Sequence, residues 1–214
     1  MRASVSIIGV LLLAVVWLGP LPALARYSFA AHMTMHMAVV AAAAPIIAFA
    51  VVGCRYDPVG RRAWVAAPLV ASLIEMAIVW GWHAPALHEA ARHHAWALVA
   101  EQGSFLVAGL LLWASAIGGE HAHRPARAAS GIAALLFTSM HMTLLGALFT
   151  LAVRPLFQHG ATVTQAAALA DQQLGGAIML IVGGASYLIG GLWLTARMLH
   201  TGRIGTVHRR ESFP

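Results

Sequence analysis

The sequence predicts an all-α fold: a polytopic membrane helix bundle of about six transmembrane helices, with both termini cytoplasmic. Composition is the first sign. Of 214 residues, 60% are hydrophobic and 9% charged, whereas a soluble domain carries roughly a quarter charged residues. The second is six apolar runs near the length that crosses lipid as a helix, the structure that satisfies every backbone group inside its own segment. The third is the position of the arginines, which follow the gaps between those runs.

In chain order the runs cover residues 4–22, 29–52, 64–82, 95–117, 128–153 and 175–199. The first, with Arg2 ahead of Ile7 to Trp17 and Ala23-Leu24-Ala25 behind, has the outline of a secretory signal. Continuation of the apolar run to Leu21, interrupted only by Gly19-Pro20, favours an uncleaved first helix. The second carries Ala41 to Ala44; the fifth and sixth carry Gly131 with Ala134, Gly183-Gly184 and Gly190-Gly191, small residues that let helices approach closely in lipid. Polarity concentrates in the connections: 54–62 and 118–127 on one side, 83–94 and 154–174 on the other. The last is long enough to fold back on the membrane surface. With no repeat or linker, residues 1–214 read as one transmembrane domain.

The net charge of +6 comes from arginine alone. If the runs cross alternately, Arg2, Arg55, Arg61, Arg62, Arg124, Arg127, Arg197, Arg203, Arg209 and Arg210 share one side, and Arg26, Arg92 and Arg154 the other. The positive-inside rule places the larger group, and both termini, in the cytoplasm. The charge therefore speaks for a lipid bilayer and not for nucleic acid. Cys54, the single cysteine, excludes an internal disulfide and a thiolate-cluster metal site. Nothing matches a nucleotide loop, a Ser/His/Asp triad or a His-Glu-x-x-His helix, so the sequence predicts no enzyme.

Twelve histidines in so apolar a chain are unexpected, because a polar group in lipid requires a partner, cavity or ligand. His32, His36, His83, His88, His93 and His94 fall at or near the non-cytoplasmic face. The sharpest pattern is His32-Met33-Thr34-Met35-His36-Met37. Histidines four apart project from one helical face and can chelate one ion; Met33 and Met37 form a second such pair about 100° away. Imidazole with thioether suits copper, above all Cu(I). Met140-His141-Met142 in the fifth run could bring His141 to the His32/His36 pair. Methionines as packing residues, and His121, His123, His159 and His208 as solvated loop groups, are the plainer alternative. Glu75 sits near mid-bilayer and Glu101, followed by Gln102, inside the fourth run; each reads as a ligand, a proton relay or a histidine's partner. Pro85 stops the third run and presents His83 at the membrane edge. Asp171 stands where it can cap the sixth helix or reach the outer cavity.

Several motifs in order carry a family likeness: Gly19-Pro20-Leu21, the stretch from Ala31 to Met37 with Ala44-Pro45, and Trp82-His83-Ala84-Pro85-Ala86-Leu87-His88-Glu89-Ala90-Ala91. Glu101-Gln102-Gly103-Ser104-Phe105 with Leu112-Trp113, Met140-His141-Met142-Thr143-Leu144-Leu145-Gly146, and Asp171-Gln172-Gln173-Leu174-Gly175-Gly176 continue it. On these the chain resembles the CtaG-type cytochrome c oxidase assembly proteins, multi-helix bacterial membrane proteins associated with oxidase maturation and copper delivery. It departs from them in having Gln102 where relatives carry a histidine after the glutamate, Leu98 near another family histidine, and Leu180 for a tryptophan.

The resemblance implies a bacterial cytoplasmic (inner) membrane, with oxidase subunits or other copper chaperones as partners and copper as the bound species. It implies His32, His36 and His141 as principal ligands. His83, Met33, Met37, Met140 and Met142 are available to complete the sphere, and Asp171, Glu101 and Glu75 to support it. A b-type haem protein with histidines as axial ligands, and a metal-free scaffold, are the rival expectations.

Overall fold

A computed structural model describes residues 2–54, 67–118, 124–157 and 164–211. Arg55, Arg61, Arg62, His121, His123 and His159 lie outside the described residues, as do the side chains of Arg124, Arg203, His208, Arg209 and Arg210. The described chain is helical, with no strand. Its helices are α1 (Arg2–Leu18), α2 (Leu21–Leu24), α3 (Phe29–Met37), α4 (Ala44–Val51), α5 (Ala67–Trp82), α6 (Pro85–His93), α7 (Ala95–Ile117), α8 (Arg124–Thr150), α9 (Gln165–Ile178) and α10 (Gly184–Glu211). Four continuous stretches are long and apolar enough to cross a membrane: Phe29–Val51, Ala95–Ile117, Pro125–Thr150 and Gln165–His200. A fifth arises if α5 and α6, bent by 73° at their junction, count as one span. The protein is thus an all-α membrane protein of four to five candidate spans.

The α3–α4 helix is central. Of its apolar window 61% is buried, against 33–44% for the other three long helices. It is packed by α1, α7 and α9. Its continuity is broken internally: Ala38–Ala43 forms a π-helical turn. Pro45 explains the break, since it lacks an N–H and its ring crowds the carbonyl four residues back, that of Ala41. The Ala44 N–H reaches past the usual acceptor to the Val39 carbonyl, releasing Val40 as well. Both freed carbonyls meet a hydroxyl from α10. Ser186 Oγ donates to Ala41 O at 2.7 Å, and the Tyr187 hydroxyl lies 3.3 Å from Val40 O.

Two sequence-predicted boundaries move. The sixth span begins at Gln165, ten residues before 175, because Thr164 caps the Ala167 N–H at 3.3 Å and Ala166-Ala167-Ala168-Leu169-Ala170 are strong helix formers. The 83–94 connection is itself helical: Pro85 ends α5 and opens α6, the position where its missing N–H costs nothing. At the opposite end, Arg127 on α8 donates to Gly118 O at 2.6 Å and Ser115 O at 2.8 Å, satisfying the end of α7.

Glycines set a close crossing of α8 with α9 and the turn after it. A Cβ on Gly146 of α8 would lie 2.7 Å from Leu180 N, and one on Gly176 of α9 would lie 2.6 Å from Thr150 N. The backbones themselves are in contact there, the small-residue packing that lipid favours.

Loss of the α10 donor to the freed carbonyl should be measurable. Ser186→Ala is expected to lower stability by about 1–3 kcal/mol, the cost of stranding a buried acceptor. A reduced thermal midpoint in detergent checks it, with Thr195→Ala, whose hydroxyl bonds only within its own helix, as the control with little change.

Candidate metal centre

The amino-terminal end of α3 is fixed from a distance. Ser28 caps the helix, accepting from Ala31 N at 3.1 Å and donating to Asp171 Oδ1 at 2.7 Å. Asp171 on α9 also accepts from Phe29 N at 2.5 Å and Ala30 N at 3.3 Å. A carboxylate suits the positive end of the helix dipole, so Asp171 holds the helix that carries the histidines and is not itself among them.

From α3, His32, Met33 and His36 point into the bundle and are buried. His83, expected at the membrane edge, is buried too, at 6% exposure, because the 73° bend turns it inward. Its Nδ1 donates to Val79 O at 2.6 Å. A carbonyl can only accept, so the neutral ring carries its proton on Nδ1 and turns the Nε2 lone pair towards Met33 Sδ, itself an acceptor, 3.4 Å away. Two lone-pair donors at that separation match neighbouring ligands on one ion, which lie about 3.5 Å apart when bonds are about 2.0 and 2.3 Å. The second-nitrogen bond to a backbone carbonyl is also the usual support of a metal-binding histidine.

His36 completes this inner group. Its ring centroid lies 5.2 Å from that of His83 and 3.9 Å from Phe105, on which it stacks. Neither ring nitrogen has a hydrogen-bond partner among the described residues. A stranded buried donor or acceptor costs about 1–3 kcal/mol, so the position asks for a ligand. One turn towards the amino terminus, His32 Nε2 meets Glu101 Oε1 at 3.0 Å. His32, Glu101 and His88 of α6 present donor atoms within 4.8 Å of one another. Gln102 donates to Glu101 Oε2 at 3.2 Å and accepts from Trp17 Nε1 at 3.4 Å, orienting the carboxylate.

Aromatic rings enclose the group. Phe29, Phe149 and Phe157 pack mutually at 4.9–5.6 Å, with Phe157 4.4 Å from His88 and Phe149 5.7 Å from His83. Phe157 comes from the chain after α8, held down by Gln172, whose Oε1 accepts from Leu156 N at 2.6 Å and Phe157 N at 3.4 Å.

Of the residues expected at the site, the structure brings together His32, His36, His83, Met33 and Glu101. His141, on α8, packs its ring against Phe137 at 5.8 Å and, like His36, is buried with neither ring nitrogen hydrogen-bonded among the described residues, while Met140 beside it is 68% exposed. Met37 and Met142 are buried together against Gly183 in the second π turn, Met179–Gly183. Glu75 is hydrogen-bonded to Tyr187 near the first π turn. His88 is the residue that the ligand set read from sequence lacked. Its signal is the pattern of α6, in which His88 and Ala91 form the buried side while Glu89 and His93 pair on the exposed one.

The fold and site together define an all-helical membrane protein with a buried cluster of imidazoles, a thioether and a carboxylate, drawn from α3, α6, α7 and the α5–α6 bend. The family described as cytochrome c oxidase caa3 assembly factor (Caa3_CtaG) matches residues 1–201, and the chain belongs to that family. No curated protein and no solved structure matches it.

The remote cap generates a prediction. Asp171→Ala is expected to destabilise the folded protein by about 1–2 kcal/mol, seen as a lower thermal midpoint, and Asp171→Asn, which keeps one acceptor, to recover part of the loss.

Proposed function

We propose that the protein binds Cu(I) in the pocket of His36, His83 and Met33, with His32 the adjacent donor, and supports its delivery to cytochrome c oxidase during assembly. The observation that carries this is the facing pair of His83 Nε2 and Met33 Sδ beside a histidine with no hydrogen-bond partner. Two imidazoles and a thioether are soft enough for Cu(I) and exchangeable enough to release it. The family supports the oxidase as the partner. In this reading the protein is an assembly factor and not an enzyme, resident in the bacterial cytoplasmic membrane.

Six crossings fit this role. They are the four long helices, the bent α5–α6 pair, and α1, whose 17 residues span about 26 Å. The arginine distribution then puts both termini in the cytoplasm and the histidine pocket towards the outer face, where a carrier of copper can meet it.

Detergent-purified protein loaded under reducing conditions is expected to hold near-stoichiometric copper, with no Soret band. His36→Ala combined with Met33→Leu should lose the metal and fail to restore oxidase activity in cells lacking the native chain. Absence of copper from the folded native protein would overturn the reading, and a Soret band would replace it with haem binding.

A further inference from the structure

The cluster contains a second donor set of different chemical character. His32 on α3, His88 on α6 and Glu101 on α7 converge with ligand atoms within 4.8 Å of one another, all three side chains buried. We propose that they form a separate site for a borderline divalent cation, adjacent to the thioether-containing pocket.

The donor types argue for it. Two imidazoles and a carboxylate without sulfur suit Zn(II), Co(II) or Cu(II), whereas the His83–Met33 pair suits a softer ion. Bonds of 2.0–2.2 Å place ligand atoms about 3.3–3.6 Å apart. His32 Nε2 and Glu101 Oε1, hydrogen-bonded at 3.0 Å, part by a few tenths of an ångström as the ion displaces the proton between them, and His88, whose ligand atom lies within 4.8 Å of both, closes by about 1 Å.

The surroundings are those of a prepared site. Gln102 fixes the carboxylate through Oε2 while Oε1 faces His32, the supporting shell that tunes a metal ligand. The His88 ring is placed by Phe29 at 5.5 Å and Phe157 at 4.4 Å, and meets the His32 ring edge-on at 4.7 Å. Three protein ligands leave a fourth position for water or an incoming group, as in metal sites that exchange rather than lock their ion.

This inference shares only His32 with the Cu(I) reading, and one titration series, with variants in the residues that the two do not share, separates them. Untagged, detergent-purified protein is titrated with Co(II) alone, read by visible d–d absorption, and separately with Cu(I) against a chromophoric chelator. The native chain should take up one Co(II) with tetrahedral bands. His88→Ala, and the near-isosteric Glu101→Gln in case the first variant fails to fold, should weaken Co(II) about tenfold or more and leave Cu(I) affinity within about threefold. His36→Ala with Met33→Leu should do the reverse.

Failure of the native protein to bind Co(II), or retention of Co(II) by folded His88→Ala and Glu101→Gln, overturns the second site while leaving the Cu(I) pocket standing. Equal loss of both metals in Glu101→Gln means one shared site and overturns the proposal too. Co(II) binding without Cu(I) binding sustains the second site and sinks the copper reading.

Discussion

Inside lipid no water satisfies a stranded polar atom, and the structure is organised by that constraint acting on one helix. The α3–α4 helix carries His32 and His36 near one end and a proline-induced break at its middle. Apart from the ring nitrogens of His36, the polar atoms this creates are met by side chains from other elements: Asp171 at the amino terminus, Glu101 at His32, Ser186 and Tyr187 at the opened turn. The bundle is therefore pinned by polar contacts at several levels, with apolar packing filling the space between.

The aromatic shell serves the same end in a different way. Phe29, Phe149 and Phe157 do not neutralise the histidines; they exclude competing partners from them. In a dry enclosure a lone pair such as that on His83 Nε2 has few choices, and its interaction with a cation is stronger than it would be in water. His36 is stacked flat on Phe105, and its surroundings offer packing and no hydrogen bond among the described residues.

Much of this was legible in the chain. Hydropathy gave the helical class and the central helix from 29 onward, and the four-residue spacing of His32 and His36 put both on one buried face. Other features are tertiary. His88 lies in a stretch too polar and short to read as a buried helix, and only the α5–α6 bend carries it, with His83, into the bundle. Asp171 acts 142 residues away in sequence from Phe29, whose amide it holds. His141 shares the Met-His-Met pattern of the α3 motif, but a short motif fixes residue type and not its neighbours, and the ring contact His141 makes is with Phe137 of its own helix. Glu75 likewise reads as a partner for histidine, and its neighbour proves to be a tyrosine hydroxyl.

The π turn at Ala38–Ala43 has a further meaning for the geometry of the centre. A widened turn accommodates one more residue than an α-helical one, so it advances the helix by about 100° of phase. The amino-terminal half thus aims its histidines at α6 and α7, while the half beginning at Ala44 aims its small residues at Gly109 of α7, where a Cβ would meet Ala44 at 3.0 Å. Both aims cannot be kept by a straight α-helix of the same sequence. The number of residues between His36 and Pro45, more than their identity, is what keeps the two halves in register, and a single deletion there would rotate one half out of its packing.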